Sequence, residues 1–320
     1  MLYPLQENQH PPLLDPVSCG ENLLLNVVRF SELAPDHCAD CADYHIRYAA
    51  HRFTGISKGI ALDRPYLIDL IRTCIKERIA ASNAMIEIVI PGSADTGILA
   101  TCAHAAATLG AASLNRCRFT VLDRCPTPLI LCQEFAARHQ LSLRTCQVDL
   151  QNLFQHYTAD LIVAHSILRF INQSEQVTIL DKFASWLRPG GRIIVSNRLK
   201  PPGQADMEAE FSKRTAANNA VEKILASGLL QTREPPETIM KRLNRSIGDG
   251  EGRPGEIQSL ADARKLFARS QLREISLQSV TGKIILAPDD VISRGRVLAL
   301  LCRDDDPVMA SIPGAPVALL

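Results

Sequence analysis

Apolar residues between about positions 21 and 76 recur at intervals of three and four. They do so in the segments ENLLLNVVRF, DYHIRYAAHRF and RPYLIDLIRTCI. This spacing places apolar side chains on one face of an α-helix, so it predicts a helical amino-terminal cap. The first 17 residues carry four prolines and no such periodicity, and we expect them to form an extended arm.

From about residue 84 onward, short apolar runs alternate with longer segments of helical spacing. The series reads MIEIVI, GILATCAHAAATLG, RFTVLD, PLILCQEFAARHQ, LRTCQVD, ADLIVAHS, VTILDKFASWL and GRIIVSN. Repeated units of strand and helix imply a doubly wound α/β fold, in which a mainly parallel sheet is covered by helices on both faces. Two later strand patterns, REISLQSVT and RVLALLCRD, would bring the sheet to seven strands.

A segment rich in proline and glycine interrupts this alternation before the last two strands. It contains PPG, an amphipathic stretch and the loop GDGEGRPG, which together predict a helical insertion placed to act as a lid. The expected division of the chain is a helical cap at 1–80, a Rossmann-like core at 81–202, the lid at 203–258, completion of the sheet at 259–304 and a tail at 305–320.

The charge balance argues against nucleic acid or membrane as a partner. The chain has 35 basic and 34 acidic residues, a formal net charge of +1, so no phosphate-binding surface is indicated. It has neither an apolar run long enough to span a membrane nor a signal-peptide pattern, and we expect a cytoplasmic protein acting on a small molecule. Ten scattered cysteines, several in apolar segments, predict buried thiols and no structural disulfide.

The turn after the first strand is the first candidate ligand site. Residues 91–97 read PGSADTG and lead directly into a helix. A strand, a turn of small residues and a helix amino terminus let a ligand approach the backbone N–H groups. The turn lacks the central glycine of a dinucleotide-binding GxGxxG, which argues against NAD. A plain strand-to-helix turn is the alternative interpretation of this motif alone.

Two carboxylates follow the next strands of the predicted sheet. Asp123 ends RFTVLD, where a carboxylate can accept both hydrogen bonds of a ribose diol. Asp149 follows the third strand within QVDL, where a carboxylate can accept a hydrogen bond from an adenine amino group. With the first turn, these residues predict a nucleoside site at the carboxyl ends of the strands.

This succession of motifs resembles the class I S-adenosylmethionine-dependent methyltransferases over roughly residues 84–302. LRPGG before the fifth strand is a specific mark of these enzymes, and DLIVAHSILRF looks like their fourth motif. GSADTG, VLDRCPTPL and the upstream CADCADYH are similar to a group of small bacterial methyltransferases. The resemblance implies the class I methyltransferase fold, with S-adenosylmethionine as cofactor and S-adenosylhomocysteine as product.

The resemblance also implies which residues contact the cofactor. Those flanking its methionine part would be Gly92, Ser93, Ala94, Asp95 and Gly97. Those at its ribose, its adenine and the floor near its methyl group would be Asp123 with Arg124, Asp149 with Leu150, and Ala164 with His165. The family usually carries an acidic residue where this chain has Ile90; Glu87 lies earlier, and Asp95 is the candidate substitute.

His165 is the candidate catalytic residue, a general base for a hydroxyl acceptor. The alternative is a histidine that only packs or hydrogen-bonds at a strand end. Arg169 could steer a carboxylate substrate or cap the following helix. Tyr44, His45 and Tyr48 are further candidate substrate contacts, against the alternative of a buried cap helix with no ligand role.

The cap also contains the most unusual local cluster of the chain. Cys38 and Cys41 have the spacing of a zinc knuckle, and His45 follows one helical turn later. A second CxxC is missing and no nearby pair completes four ligands, so we predict no metal site. Cys125, beside Asp123, is expected to pack near the cofactor rather than act as a nucleophile.

The function favoured by these features is methyl transfer to an oxygen or nitrogen of a small molecule, by in-line attack on the sulfonium methyl group with base assistance from His165. Residues 164–167 read AHSI instead of Asn/Asp-Pro-Pro-aromatic, which argues against methylation of nucleic-acid bases. Two alternatives stay open: an elimination or rearrangement assisted by the same cofactor, and a non-catalytic binding or scaffold protein on this fold. The apolar helices of the cap also suit a homodimer.

Overall fold

The computed structural model describes residues 20–37, 45, 48–49, 52–53, 63–153, 155–199, 215, 218–219, 221–223, 225–226, 235–245, 255, 257–287 and 290–306. The predicted arm, most of the predicted lid, most of the tail, the Cys38–Cys41 motif and Tyr44 lie outside these residues.

Helices and strands alternate through the described part of the chain. The helices are α1 (Leu23–His37), α2 (Arg64–Ala81), α3 (Gly97–Ala107), α4 (Ala111–Asn115), α5 (Pro126–His139), α6 (Gln173–Trp186), α7 (Pro236–Arg245) and α8 (Leu260–Phe267), with a 3₁₀ turn at Leu168–Phe170. The strands are β1 (Ile86–Pro91), β2 (Cys117–Asp123), β3 (Ser142–Gln147), β4 (Ala159–His165), β5 (Leu187–Leu199), β6 (Leu272–Ala287) and β7 (Asp290–Arg303).

The seven strands form one sheet in the order β3-β2-β1-β4-β5-β7-β6. The first five are parallel, and β7 runs antiparallel between β5 and β6. This confirms the predicted Rossmann-like fold with a mainly parallel sheet. The chain order reverses direction on either side of β1, where an open sheet of this kind leaves a crevice at the carboxyl ends of its strands.

Apolar side chains of the central strands pack on both faces of the sheet. In β1, Ile88 belongs to a buried cluster with residues of α2, α3 and α5, whereas Val89 belongs to a second cluster with residues of α6 and α8. Strands covered by helices on both faces need near-continuous apolar runs, which MIEIVI and ADLIVAHS supply. The core therefore holds the carboxyl ends of β1 and β4 in fixed positions.

Local signals in the sequence set several helix boundaries. Pro126 begins α5, where the missing N–H of proline costs nothing, and Gln140 ends it with a left-handed φ of 53°. Ser259 caps α8 by accepting a hydrogen bond from the Asp262 N–H at 3.1 Å. These short-range features explain why the alternation of strand and helix can be predicted from the sequence.

One prediction about the cysteines is wrong. The described cysteines 74, 102, 117, 132, 146 and 302 are free thiols, but Cys125 is disulfide-bonded. Cys125 lies just before α5 and is buried. A disulfide depends on which distant segments the fold brings together, and the spacing of cysteines along the chain does not contain that information.

Two expected absences concern membranes and metals. Within the described ranges, no helix is long and apolar enough to cross a membrane. Within the same ranges, no group of three or more histidine, cysteine, aspartate and glutamate side chains is arranged to hold a metal ion.

Asp160, at the amino end of β4, should stabilise the fold without affecting the opposite edge of the sheet. Its side chain is 1% exposed and accepts hydrogen bonds from the Glu87 N–H at 2.8 Å, Arg78 at 2.6 Å and Arg188 at 2.9 Å. We expect Asp160→Ala to lower the free energy of unfolding by about 2 to 3 kcal/mol, because a buried N–H and two guanidinium groups lose their acceptor.

Urea unfolding followed by circular dichroism measures this loss. Asp69→Ala is the matched control, because the Asp69 side chain is 50% exposed and pairs with Arg72 on the surface of α2. Equal unfolding midpoints for the two variants would contradict the prediction.

Candidate functional site

The carboxyl ends of β1, β2 and β4 border one cavity of about 340 Å³, a size typical of small-molecule sites. The lining residues singled out from the sequence are His45, Tyr48, Gly92, Ser93, Ala94, Asp95, Asp123, Arg124, Cys125, Asp149, Leu150 and His165. Those that were not are Ile98, Val148, Gln151, Ser166, Ile167, Phe170 and Ile171. Gly97, Ala164 and Arg169 lie nearby but do not line the cavity.

The turn after β1 requires a glycine at its first position. Gly92 has a left-handed φ of 74°, and a Cβ atom there would lie 2.5 Å from Cδ1 of Ile167. The turn can therefore close against the chain that follows β4 only because this side chain is absent. Ser93 steadies the turn by donating its hydroxyl proton to the Asp95 carbonyl at 2.6 Å.

Asp123 joins the turns after β1 and β2. One carboxylate oxygen accepts the Ser93 N–H at 2.8 Å, and the other accepts the Cys125 N–H at 2.8 Å. A carboxylate has about four lone-pair sites, so both oxygens keep the capacity to accept a ligand hydroxyl. Burial raises the pKa of Asp123, although these two N–H groups oppose the shift.

The loop after β3 forms the far wall of the cavity. Asp149 is exposed and accepts hydrogen bonds from the Gln151 N–H at 3.0 Å and the Asn152 amide at 3.2 Å, which hold the loop in a turn. Leu150 is buried, and its carbonyl accepts a hydrogen bond from Lys182 at 2.8 Å. This loop presents a carboxylate and an apolar side chain next to each other.

Asp95 is held by the amino-terminal region. Its carboxylate pairs with Arg52 and accepts the Gly97 N–H at 2.8 Å. A Cβ atom on Gly97 would lie 2.6 Å from Nη1 of Arg52, so the glycine makes room for the guanidinium group and is covered by it. This contact explains why Gly97 does not line the cavity.

Glu21 completes this buried network and is the anion shared by two arginines. Its oxygens accept hydrogen bonds from Arg52 at 2.7 Å twice and from Arg64 at 2.7 Å. Burial alone would raise the pKa of Glu21, but Arg52 and Arg64 outweigh burial and lower the pKa to about 2. The network ties the cap to the turn after β1.

His165 lies at the end of β4 and contacts a carboxylate from another element. Its Nε2 atom is 3.0 Å from Oδ2 of Asp63, the residue before α2, and the two side chains are 16% and 10% exposed. The next residue, Ser166, has a left-handed φ of 59°, an unusual conformation for a residue with a side chain and one that recurs at functional sites.

Arg296 of β7 and Ser196 of β5 complete the polar cluster around His165. Oδ2 of Asp63 accepts a hydrogen bond from the Ser196 hydroxyl at 2.6 Å and lies 2.7 Å from Nε of Arg296. Nη2 of Arg296 donates to the Ser166 hydroxyl at 2.7 Å and lies 3.1 Å from Nε2 of His165. Four elements of the fold therefore meet at this imidazole.

The charges of the cluster favour a neutral imidazole and an ionised carboxyl group. Burial and then Arg296 lower the pKa of His165, although Asp63 opposes the shift, so the ring is neutral at pH 7. Burial would raise the pKa of Asp63, but Arg296 and His165 outweigh it and hold the pKa well below its ordinary range. A neutral histidine in a cavity wall can accept a proton.

The remaining wall of the cavity is mostly apolar and aromatic. His45 stacks on Phe30 with ring centroids 5.3 Å apart, and burial lowers the pKa of His45 to about 4. Phe170 is 38% exposed, and the Arg169 guanidinium group lies 5.7 Å from its ring centroid. Arg169 thus covers a ring that borders the cavity instead of bordering it directly.

The charged partners of the predicted site residues were not predictable from the sequence. Asp63 precedes Arg64-Pro65, a pattern that indicates the start of a helix, and Arg296 sits in a strand. Glu21 and Arg52 belong to amphipathic segments that predict only a cap. No local motif marks any of these four side chains as part of a site.

Comparison with known proteins identifies one domain. Residues 100–191 match a family model described as a methyltransferase domain. A search of curated proteins finds no match to this sequence.

Solved structures similar to this chain include three methyltransferases. An O-methyltransferase family protein from Burkholderia thailandensis is 12% identical with a TM-score of 0.46, covering 86% of this chain and 64% of that one. Mitomycin 7-O-methyltransferase is 14% identical with a TM-score of 0.42, covering 90% and 68%. Magnesium protoporphyrin IX methyltransferase from Synechocystis, solved with bound SAH, is 12% identical with a TM-score of 0.42, covering 73% and 82%.

Proposed function

We propose that this chain transfers the methyl group of S-adenosylmethionine to an oxygen or nitrogen of a small molecule, and the match of residues 100–191 to a methyltransferase domain supports the proposal. One observation carries the proposal: Asp123 and His165 line the same cavity from strands on either side of β1. A carboxylate that can bind the ribose of the cofactor and an imidazole that can take a proton from the methyl acceptor therefore line the same cavity. When bound, S-adenosylmethionine supplies an electrophilic methyl group on its sulfonium.

The residues of the cavity fit the parts of this cofactor. Asp123 would accept the ribose diol with the lone pairs that the Ser93 and Cys125 N–H groups leave. Asp149 and Leu150 would hold the adenine between a carboxylate and an apolar side chain. The turn at residues 92–95, which is small enough to close against Ile167, would take the methionine part.

His165 would act as the general base for a hydroxyl acceptor. Its imidazole is neutral at pH 7 because burial and Arg296 lower its pKa. As the oxygen of the acceptor bonds to the methyl carbon, the ring would take the hydroxyl proton, so no free alkoxide has to form. Tyr48, His45 and Phe170 would contact the body of the acceptor and hold it in line.

Several further properties stay predictions of the sequence. They are the division at 1–80, 81–202, 203–258, 259–304 and 305–320, the closure of the 203–258 segment as a lid, a cytoplasmic location and a homodimer through the cap. A lid beside this cavity would exclude water before transfer.

The first test is titration calorimetry of the purified protein with S-adenosylmethionine and, separately, S-adenosylhomocysteine. Saturable binding of both is expected, and a panel of small phenols, alcohols and amines is then screened by mass spectrometry for a methylated product. A product that has lost or rearranged atoms without gaining a methyl group would favour elimination or rearrangement. No binding by a protein whose circular dichroism shows an intact fold would overturn the proposal.

Asp123→Asn should weaken binding of S-adenosylmethionine by about 10- to 100-fold, the range expected when charged hydrogen bonds are lost. The amide would place a donor against one of the two backbone N–H groups that the carboxylate now accepts, and it would lose a negatively charged acceptor for the ribose. Calorimetry measures the change. Asp69→Asn, on the exposed face of α2, is the control, and equal affinities for the two variants would count against the ribose assignment.

A further inference from the structure

We propose that Asp63 is a positioning residue, which selects the tautomer of His165 with the proton on Nε2 and thereby leaves Nδ1 to accept the proton of the acceptor. The inference deepens the proposed function and rests on it for the role of His165. It concerns a carboxylate that arrives from the amino-terminal cap, 102 residues before the histidine.

The two partners of Nε2 favour opposite protonation states of this nitrogen. The Asp63 carboxylate, at 3.0 Å, can only accept a hydrogen bond, whereas the Arg296 guanidinium, at 3.1 Å, can only donate one. A neutral imidazole carries one proton. If it is on Nε2, Nδ1 is a base; if it is on Nδ1, that nitrogen cannot take a proton from the acceptor.

The other hydrogen-bond partners of Arg296 indicate which of the two nitrogens, Nε2 or Nδ1, carries the proton. Nη2 of Arg296 has two oxygen acceptors besides the imidazole, the Ser166 hydroxyl at 2.7 Å and the Ser196 carbonyl at 3.4 Å. Its hydrogens therefore do not need His165. An unprotonated Nε2, by contrast, would point its lone pair at a carboxylate oxygen 3.0 Å away. This repulsion in a buried site favours the proton on Nε2.

The carboxylate of Asp63 is directed at the histidine rather than at its own helix. An aspartate at the residue before a helix ordinarily accepts a hydrogen bond from a backbone N–H of the first turn. Asp63 occupies that position before α2 but its side chain makes no capping hydrogen bond. Its Oδ2 atom instead contacts Ser196, Arg296 and His165.

The proton balance of the reaction follows from this arrangement. As the bond between the acceptor oxygen and the methyl carbon forms, the sulfur–methyl bond breaks and its electron pair stays on sulfur. The O–H bond of the acceptor breaks and its proton moves to Nδ1. The resulting imidazolium has Nε2–H directed at Asp63, and the negative charge of Asp63 stabilises it. The positive charges of Arg296 and the more distant Arg52 destabilise the imidazolium. Ser166 and Ser196 are neutral.

Nuclear magnetic resonance of protein labelled with ¹⁵N-histidine tests the inference without any acceptor. Two-bond ¹H–¹⁵N correlations at pH 7 distinguish Nε2–H from Nδ1–H, and loss of a spin system in His165→Gln assigns the signal. We expect the Nε2–H pattern for His165. His156, whose Nε2 lies 2.7 Å from the Ser185 carbonyl, is a reference for that pattern in the same spectrum.

Asp63→Ala should move the proton of His165 from Nε2 to Nδ1, because Arg296 becomes the remaining charged partner of Nε2. The pattern of His156 should not change. Arg296→Gln, which keeps Asp63, should retain Nε2–H at His165. A wild-type ring protonated on Nδ1, or on both nitrogens at pH 7, would overturn the inference even if Asp63→Ala fails to fold. Calorimetry with S-adenosylmethionine tests the proposed function separately, since it reports on cofactor binding and not on the tautomer.

Discussion

His165→Gln is expected to slow methyl transfer by about 100- to 10,000-fold, the usual contribution of a positioned general base. Glutamine can keep a hydrogen bond in the cluster with Asp63 and Arg296, but it cannot take a proton at neutral pH. The cofactor contacts attributed to Asp123 and Asp149 lie at the end of β2 and in the loop after β3, away from β4. Affinity for S-adenosylmethionine should therefore change much less than the rate.

The experiment compares kcat for the acceptor identified by mass spectrometry with cofactor affinity from calorimetry. His156→Gln is the control, because His156 is exposed and its ring forms a hydrogen bond with the Ser185 carbonyl, away from the cavity lining. A rate for His165→Gln within a few fold of the wild type would mean that the histidine only packs at the end of β4.

The pH dependence of the rate should report the lowered pKa of His165. In the proposed mechanism neutral His165 is the active form, so activity should be present above its pKa and be lost as the pH falls through it. Burial and Arg296 lower this pKa below the ordinary value of 6.5, so the rate should persist below pH 6.5 before it declines.

The fold was predictable because its signals are local. MIEIVI has the length and apolar continuity of a buried parallel strand, and the structure places β1 at Ile86–Pro91. SLADARKLFARS begins with a serine that caps α8 at Leu260–Phe267. Each of these features depends on neighbours within a few residues.

The candidate site was predictable only where it follows the ends of strands. Asp123, Asp149 and His165 were identified because parallel strands end at one edge of a sheet. Their partners come from far away in the chain: Asp63 lies 102 residues before His165, and Arg296 lies 131 residues after it. No periodicity or spacing connects such residues. The disulfide at Cys125 was not predicted because the spacing of cysteines along the chain does not show which of them pair.

Asp95, the candidate substitute for the acidic residue missing at Ile90, shows how a residue can be predicted from the sequence while its partners cannot. The sequence suggested Asp95, and the structure gives Asp95 a charged partner, Arg52, that also binds Glu21. An acidic residue in the turn after β1 therefore does not stand alone. It belongs to a network whose stability depends on Glu21, the residue two positions before α1 begins.

Glu21→Gln should be among the most destabilising substitutions in the chain. Glu21 has a fully buried side chain and is the shared anion of Arg52 and Arg64, whose side chains are 14% and 7% exposed. Removing its charge leaves Asp95 to pair with Arg52, and Arg64 loses the carboxylate that it binds. Breaking a buried ion pair in this way typically costs about 3 to 5 kcal/mol of the free energy of unfolding.

Urea unfolding at pH 7 measures this effect, with Glu274→Gln as the control. Glu274 pairs with Arg264 on the surface, where the Arg264 side chain is 61% exposed, so this control should change stability very little. A loss of stability in Glu21→Gln no larger than in the control would contradict the network described above.

The pH dependence of the same comparison isolates the charge of Glu21. The pKa of Glu21 falls from 4.5 to about 2 on folding, because Arg52 and Arg64 outweigh burial. A carboxyl group with a lowered pKa stabilises the fold above its unfolded value, and that contribution disappears as the pH falls towards the folded value. The stability difference between the wild type and Glu21→Gln should therefore be largest above pH 4.5 and should shrink between pH 4.5 and about 2. A difference that stays constant over this range would mean that Glu21 acts through shape and hydrogen bonds rather than through its charge.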